Sequence, residues 1–301
     1  MVNGLSFDVE DWFQVENLRE AISSEDWGRC ELRVRDSTWR ILRLLEANRT
    51  RATFFVLGWI AERCPSLVRE IAAAGHEIAS HGYGHELVHR HTVSSFHQDI
   101  RRSVDVLGSI TGRAARGYRA PSFSITPKTA WALDALKDLG FLYDSSIFPT
   151  SFHNRFGFNG SSSFPFRFVN GLVEFPLSTF RRYGTNFPIA GGGYFRLFPY
   201  PLFRHLSRRL NRGGGPLIFY LHPWELDPGQ PRVHVRYGYS FRHYVNLHKT
   251  EERLRMLLDD FRFAPLVELL EVYFPTNGGS PDSATASAGC VLGHGNESTI
   301  G

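Results

Sequence analysis

The sequence predicts an α/β fold built on a parallel sheet, arranged either as a barrel or as a doubly wound sheet. The main observation is that short apolar runs, typical of buried strands, alternate with segments of about 10 to 15 residues that have helical spacing of apolar side chains. Such alternation is typical of parallel βαβ units. The chain is also long enough to bury one large core, because it has 301 residues, of which 42% are hydrophobic.

Predicted strands and helices follow one another from the N-terminus. The first strand covers Gly4 to Val9 and runs into a cluster of acids, as a barrel strand does when its C-terminal end carries a site. Further strands are predicted at residues 52–57, 78–79, 116–119 and 216–221. Helices are predicted at residues 37–46, 66–74, 93–110, 127–139, 250–261 and 265–273.

Two stretches depart from this pattern in composition. Residues 148–212 are rich in Phe, Gly, Asn, Pro and Ser, so we expect an elaborated loop region with short strands and no second core. Residues 275–301 are small, polar and aperiodic, which predicts a disordered and dispensable tail. We therefore expect one domain over residues 1–274, followed by this tail.

Charge and targeting signals narrow the class of protein. Lys and Arg number 34 against 30 Asp and Glu, and the basic residues are scattered, so a nucleic-acid partner is not expected. The first residues lack the pattern of a signal peptide, and no run of about 18 apolar residues predicts a transmembrane segment. A cytoplasmic protein is expected. Cys30, Cys64 and Cys290 are far apart and few, which indicates reduced thiols.

Two overlapping histidine motifs could bind a metal ion. His81 and His85 lie four residues apart, a spacing that lets two imidazoles reach one ion if the segment turns, although solvated loop histidines are the common alternative. His85, Glu86 and His89 form an HExxH string, the zincin signature with Glu as general base. That motif needs a helix through both histidines, and the glycines just before it and the missing third ligand argue against it.

Three further positions could carry chemistry. Asp8, Glu10 and Asp11 form an acidic cluster at the end of the first strand, either as solvated loop charge or as a carboxylate ligand to complement the imidazoles. Arg119 follows a predicted strand, where its guanidinium could be a surface charge or could fix a neighbouring carboxylate. His222 directly follows the late strand, a position that is more often structural than catalytic.

In this order the motifs resemble those of the polysaccharide deacetylases of carbohydrate esterase family 4, the NodB-homology domain. The resemblance covers residues 5–225 and rests on these segments: the acid motif SFDVED at 6–11, the strand ATFFV at 52–56, the HxxxH loop at 81–85, the RAP motif at 119–121, YDSS at 143–146 and LH at 221–222. The strings FDVEDW, YDSSIFP and LHPWELDP resemble the branch found with bacterial exopolysaccharide and exosortase gene clusters, which extends the resemblance to residue 273.

The resemblance implies a distorted (β/α) barrel of about seven parallel strands with a divalent ion, Zn²⁺ or another first-row metal such as Co²⁺, at the C-terminal face. It implies hydrolysis of N-acetyl groups of N-acetylhexosamine residues in an oligo- or polysaccharide. The ion would hold a water and polarise the acetamide carbonyl. The implied roles are general base for Asp8, positioning of that base for Arg119, general acid for His222 and an oxyanion-binding backbone N–H for Ser122.

The chain departs from the family pattern at two positions. Val9 stands where the family commonly has a second Asp, so the metal carboxylate is either Glu10 or Asp11. We favour Glu10, because residues i and i+2 of a strand point the same way. Gly82 replaces a Ser or Thr that the family often has after the first histidine, so a hydrogen bond that steadies this loop is expected to be missing.

Two other functions compete with the deacetylase. One is a non-catalytic glycan-binding relative, and the other is a metalloprotease built on the HExxH string. Trp12, Trp59 and Trp224 suit stacking on sugar faces, with Trp224 closest to the predicted site, although most aromatic residues are core. The glycan, the metal and the oligomeric state are left open, as is an association with polysaccharide assembly machinery at the inner membrane.

Overall fold

The computed structural model describes residues 1–150 and 161–275 of the chain. Eleven strands lie in these residues: β1 (Val2–Val9), β2 (Thr53–Val56), β3 (Glu77–Ser80), β4 (Gly117–Tyr118), β5 (Tyr143–Asp144), β6 (Phe166–Arg167), β7 (Val173–Glu174), β8 (Thr179–Arg182), β9 (Thr185–Pro188), β10 (Ile218–Leu221) and β11 (Arg262–Ala264). The same residues hold ten α-helices: α1 (Val34–Ala47), α2 (Gly58–Arg63), α3 (Pro65–Ala73), α4 (Val93–Thr111), α5 (Trp131–Asp138), α6 (Gly192–Leu197), α7 (Tyr200–Arg212), α8 (Tyr237–Tyr244), α9 (Thr250–Asp260) and α10 (Leu266–Tyr273).

Nine of these strands form one sheet in the order β10-β1-β2-β3-β4-β5-β7-β6, with β11 also paired to β1. Every pairing in this sheet is parallel except that between β6 and β7. Strands β8 and β9 form a separate antiparallel hairpin. The predicted α/β fold is confirmed as an open half-barrel. Its eight parallel strands slightly exceed the predicted seven, because β11 occupies a place beside the first residues of β1.

The core forms around β1, because this strand is covered on both faces. Seven of its eight residues are buried, which is typical of a parallel strand with helices outside the sheet. Phe7 stacks on Phe54 of the neighbouring strand, with 5.1 Å between the ring centroids. Beyond the strand, Phe13 and Trp27 pack against Trp59, so the long segment between β1 and α1 is fixed by aromatic contacts.

The register places the C-terminal ends of the parallel strands at one edge of the sheet. The last paired residues are Val9 with Val56, Val56 with Ser80, Ser80 with Tyr118, Tyr118 with Asp144, and Phe7 with Leu221. The chain leaves each strand at this edge, where α/β barrels carry their sites. The first residues beyond four of these strands are Glu10, His81, Arg119 and His222.

The prediction for residues 148–212 is wrong in part. The short strands are present, but the described part of this region also contains α6 and α7. Helix α6 was not predicted because it is six residues long and begins with two glycines, and α7 was not predicted although only Pro201, in its first turn, departs from a helical pattern. Helices α2 and α8, which are only six and eight residues long, were not predicted either. Residues 276–301, which hold nearly all of the predicted tail, lie outside the described residues.

Among the described residues, no helix is both long enough and apolar enough to span a bilayer.

Candidate active site

Glu10, His81 and His85 bring three ligand atoms together in the cleft above the sheet. One carboxylate oxygen of Glu10 lies 3.0 Å from Nε2 of His81 and 3.1 Å from Nε2 of His85. All three side chains are buried. The ligand atoms lie within 4.8 Å of one another, which is compact enough for one metal ion. Two imidazoles and one carboxylate are the donor set of many catalytic zinc sites.

The hydrogen bonding of His81 supports a shared cation in this cluster. Nδ1 of His81 lies 2.8 Å from the carbonyl oxygen of Arg119, which can only accept, so Nδ1 carries a proton. In the neutral imidazole, Nε2 then presents a lone pair to the oxygen of Glu10, and two acceptors face each other at 3.0 Å. A proton or a metal ion between them removes the repulsion. Such a bond from the other ring nitrogen to a carbonyl also accompanies most metal-bound histidines.

The loop that carries both histidines is held by an acid from α4. The Asp99 carboxylate accepts the backbone N–H of Tyr83 at 2.8 Å and of Gly84 at 3.1 Å. Gly82 has φ of +73°, and a Cβ there would lie 2.9 Å from the Asp99 carboxylate. Glycine at this position therefore allows Asp99 to approach the loop. The bonds from Tyr83 and Gly84 to Asp99 anchor this loop, although position 82 lacks the hydroxyl that the family often has there.

Asp11 does not join the metal-ligand cluster. One of its carboxylate oxygens accepts the backbone N–H groups of Arg33 and Val34, at 2.7 and 2.9 Å, and the other accepts that of Trp12. Asp11 therefore caps the N-terminus of α1 from a distant part of the chain. Of the two acids considered as a ligand, only Glu10 lies with the histidines.

Asp11→Ala is expected to lower the free energy of unfolding by about 0.5–2 kcal/mol, the usual cost of losing an N-cap. Metal content measured on the folded protein should stay close to that of the wild type, because Asp11 holds backbone N–H groups and not the cluster. Denaturant titration and elemental analysis give the two values. Loss of metal at unchanged stability would make Asp11 the ligand.

Asp8 and Arg119 form a buried ion pair beside the cluster. Arg119 is fully buried and donates to Oδ1 of Asp8 at 2.7 Å. Three more of its N–H groups donate to the hydroxyl of Ser6, the carbonyl of Ser145 and the hydroxyl of Ser145. The guanidinium therefore has one orientation, and it leaves Oδ2 of Asp8 facing His222, 3.9 Å from its Nε2.

His222 is oriented by two residues that the sequence analysis missed, Glu225 and Arg196. Oε1 of Glu225 lies 2.8 Å from Nδ1 of His222, and Oε2 accepts Nε of Arg196 at 2.7 Å. Burial alone would lower the pKa of His222, but the charges of Glu10 and Glu225 outweigh it and raise that pKa to about 9. The imidazole is therefore protonated at neutral pH, with Nε2 directed into the cleft 3.8 Å from Glu10.

Gly192 makes room for the Glu225 carboxylate. A Cβ on Gly192 would lie 1.8 Å from the nearest carboxylate oxygen of Glu225, and a Cβ on Gly191 would lie 2.5 Å from the ring of Tyr220. Gly191 also has φ of +99°, which side chains rarely adopt. The glycines at 191–193 were therefore the feature of the sequence that could have indicated a backbone segment close to the site.

Glu225→Gln is expected to lower kcat by about 10- to 100-fold, the typical effect of removing a partner that orients a functional histidine. The pKa of His222 should fall, because one of the charges that raise it is lost. His222 then loses its proton at a lower pH than in the wild type, so the fall of kcat on the basic side of its pH profile should move to lower pH. Asp227→Asn is the matched control, because Asp227 ends the 3-10 turn that contains Glu225 but pairs with Arg33 and not with His222. An unchanged profile in folded Glu225→Gln would contradict the positioning role.

Ser122 and Trp224, predicted as contacts for oxyanion and substrate, both line the same cleft. Ser122 has φ of 52° in the tight turn after Pro121, within the left-handed region. Trp224 is only 5% exposed, and its ring stacks on His222 and on His243. Little of the ring is left to face a sugar, and a contact between Trp224 and a substrate stays a prediction.

The other two tryptophans, Trp12 and Trp59, are unsuited to sugar stacking because they are buried. Trp12 is 6% exposed and Trp59 is 8% exposed, and both lie in the hydrophobic core. Both tryptophans contact Phe13 edge to face. Their apolar surface is used in fixing the segment that follows β1.

The HExxH string does not form a zincin site. His85 has φ of 52° and no α-helix runs through the string, where only Val88–Arg90 form a short 3-10 turn. His89 is exposed, and Glu86 pairs with Arg19 and Arg90 at 2.7 and 3.0 Å. His85 lies in the cluster with Glu10, while Glu86 and His89 lie outside it.

The open parallel half-barrel carries at one edge a buried Asp8–Arg119 pair, His222 and a cluster of two histidines and a carboxylate that could hold a metal ion. Residues 26–143 match the family model described as Polysaccharide deacetylase, and residues 145–271 match a model described as a domain of unknown function, DUF3473. The first match includes His81, His85 and Arg119, while the second includes Arg196 and His222. The cleft therefore combines residues from both matched regions.

Curated relatives agree with the first match. The chain is 32% identical over 117 residues to "Peptidoglycan deacetylase" of Helicobacter pylori, which is 39% of this chain and 38% of that protein. It is 33% identical over 84 residues to "Peptidoglycan-N-acetylglucosamine deacetylase" of Bacillus cereus, 28% of this chain and 30% of that protein. These matches span less than two fifths of each relative. Together with the family model they support a polysaccharide deacetylase domain, and the named relatives are enzymes.

A solved structure matches nearly the whole chain. The crystal structure of a putative polysaccharide deacetylase from Mycobacterium smegmatis has a TM-score of 0.59 and 22% identity, covering 95% of this chain and 93% of that chain. At this identity the likeness concerns the fold. The α/β half-barrel, including the region after residue 145, therefore has a counterpart of similar length.

Proposed function

We propose that the chain is a metal-dependent deacetylase that hydrolyses N-acetyl groups of N-acetylhexosamine residues in a glycan. The observation that carries this proposal is the arrangement of two differently held proton-transfer groups around one candidate metal cluster. Arg119 fixes Asp8, and Glu225 fixes His222. Oδ2 of Asp8 lies 3.9 Å from Nε2 of His222, and this nitrogen lies 3.8 Å from Oε1 of Glu10. Amide hydrolysis needs a base to activate water and an acid to protonate the departing nitrogen.

Asp8 serves as the general base. Its Oδ1 is occupied by Arg119, so Oδ2 is the atom that accepts a proton from water in the cleft. Because Arg119 is fixed by Ser6 and Ser145, the carboxylate does not have to reorganise when it receives that proton. A base held in place contributes about 10² to 10⁴ to the rate.

His222 serves as the general acid. Its protonated Nε2 donates to the sugar nitrogen as the bond to the acetyl carbon breaks, and Glu225 holds the ring through Nδ1. Ser122 lines the same cleft, and its backbone N–H is the proposed donor to the developing oxyanion. Glu10, His81 and His85 would hold a metal ion, which would supply Lewis acidity toward the acetamide carbonyl.

Zn²⁺ is the ion that the proposed donor set suits, and Co²⁺ or another first-row metal is compatible with imidazole and carboxylate ligands. The resemblance of FDVEDW, YDSSIFP and LHPWELDP to the branch found with exopolysaccharide and exosortase clusters supports a role in exopolysaccharide biosynthesis. We include in the proposal a cytoplasmic location, with peripheral contact to polysaccharide assembly machinery at the inner membrane.

Acetate release from a panel of N-acetylhexosamine oligomers tests the proposed function. The panel varies the sugar and the linkage, and each reaction is run with the metal-loaded protein and again after chelation. We expect acetate and a free amine in equal amounts, and loss of both after chelation. A folded, metal-loaded protein that binds oligomers but releases no acetate would instead be a glycan-binding relative without catalysis.

A further inference from the structure

The cleft that holds the candidate site is small and has walls from distant parts of the chain. Its volume is about 440 Å³, at the lower end of the range of about 300 to 1,000 Å³ for pockets that enclose small molecules. Its lining includes Asp8 and His222, the proposed base and acid, together with two walls. One consists of Val15, Glu16 and Asn17, and the other includes Tyr194, Tyr239 and Arg242.

These two walls contact each other. Helix α8, which carries Tyr239 and Arg242, contacts the short turn Glu16–Leu18. An ion pair between Arg236 and Glu20, with 3.5 Å between the charged atoms, adds an outer contact between the same two segments. The two contacts join α8 to the segment that forms the other wall.

Both sides of this contact are anchored to the body of the protein. On one side, Leu18 is fully buried and the Glu16 carboxylate pairs with Arg90 at 3.4 Å. On the other side, the buried guanidinium of Arg196 donates to the carbonyl oxygens of Arg242 and His243 at the end of α8. The contact between the two walls is therefore part of the folded structure, and on the side of α8 it is tied to Arg196, the residue that holds Glu225.

A closed end restricts which sugar residue can reach the site. An internal residue of a glycan has neighbours on both sides, so its chain must leave the cleft in two directions. A terminal residue, or a short oligosaccharide, needs only one exit. The volume of the cleft is also that of a site for one or a few sugar rings and not of a long groove.

We infer that the contact between α8 and the turn Glu16–Leu18 closes one end of the cleft, and that the enzyme deacetylates the terminal N-acetylhexosamine of a chain, or a short oligosaccharide, and not the internal residues of a polymer. This inference rests on the proposed function. It assigns to α8 the part of a wall that selects chain ends, with Tyr239 as the aromatic side chain of α8 in the cleft lining.

The test maps which residue loses its acetyl group. Oligomers of N-acetylglucosamine with two to six units, labelled at the reducing end, are incubated with the metal-loaded protein and sequenced by tandem mass spectrometry. We expect terminal residues to be favoured over internal ones by about tenfold or more, because even one extra methylene in a pocket is discriminated by about 10- to 200-fold and an internal residue brings a whole further sugar ring. We also expect the rate per molecule to stay level as the oligomer lengthens.

A matched pair of variants on α8 tests the wall itself. Tyr239→Ala shortens a side chain that lines the cleft and is expected to lower the terminal-to-internal ratio several-fold. Tyr237→Ala removes the same type of side chain two positions earlier, where it is 84% exposed and outside the cleft lining, and should leave the ratio unchanged. Melting temperatures show that both variants are folded.

The outcomes separate this inference from the proposed function. Acetate release mainly from internal residues, or a rate that rises steadily with length up to the polymer, keeps the deacetylase and overturns the closed-end inference. An unchanged ratio in folded Tyr239→Ala overturns the part assigned to this wall. No acetate from any oligomer of the panel overturns the deacetylase, and the inference falls with it.

Discussion

Asp8→Asn is expected to lower the rate of acetate release by about 10² to 10⁴, the usual contribution of a general base. The asparagine keeps the shape of the side chain, and its amide oxygen can still accept the bond from Arg119 that Oδ1 of Asp8 accepts at 2.7 Å. What it loses is the basic Oδ2 that faces His222. Steady-state kinetics on metal-loaded protein measure the effect.

Glu86→Gln is the control for this experiment, because the HExxH interpretation would make Glu86 the base. The Glu86 carboxylate pairs with Arg19 and Arg90 and lies outside the ligand cluster, so the variant should keep its activity within a few-fold. Melting temperature and metal content are checked in both variants. An inactive Glu86→Gln together with a nearly active Asp8→Asn would overturn the mechanism.

The second large effect is expected from the ligand cluster. Replacing Glu10, His81 or His85 with Ala should each remove most of the bound metal and most of the activity together, because each supplies one of three buried ligand atoms. Elemental analysis and acetate release are measured on the same preparations.

His89→Ala is the matched control for the histidine variants. His89 belongs to the HExxH string but is exposed and lies outside the cluster, so its replacement should leave metal content and activity unchanged. Full metal content in His81→Ala and His85→Ala would remove the proposed site. Loss of metal in His89→Ala alone would move the ligand set to the other motif.

The alternation of apolar runs and helical segments was sufficient to predict the fold. Burial of apolar side chains produces both the continuous apolar runs of buried strands and the 3.6-residue spacing of helices. The predicted strand at residues 52–57 and the helix at 93–110 agree with β2 and α4 within a few residues. Helices α6 and α8 were missed because they are short and rich in Gly, Tyr and Arg, so contacts with the rest of the chain must stabilise them. Local pattern does not record such contacts.

Residues that follow strands could be placed in the site from sequence, because parallel strands end at one edge. This reasoning selected His81, Arg119 and His222, and the structure places all three in or beside the cleft, where their roles are still predictions. Alternation along β1 also favoured Glu10 over Asp11 as the residue that faces the histidines.

The partners of His222 could not be found in the same way. Glu225 follows His222 by three residues in a short 3-10 turn, a contact that depends on the turn. Arg196 lies on α6, 29 residues before Glu225 in the sequence, and it reaches Glu225 only because the backbone of Gly192 passes close to this carboxylate. Contacts over such distances come from tertiary packing, which spacing in the sequence does not encode.

Metal titration of the apoprotein tests the central claim most directly. Chelated protein is titrated with Zn²⁺ while acetate release from an N-acetylhexosamine oligomer is measured at each addition. The account predicts activity that rises in proportion to bound metal and levels off at about one equivalent per chain, since Glu10, His81 and His85 are proposed to hold one ion. Full acetate release from metal-free protein, or none at full occupancy, would contradict it.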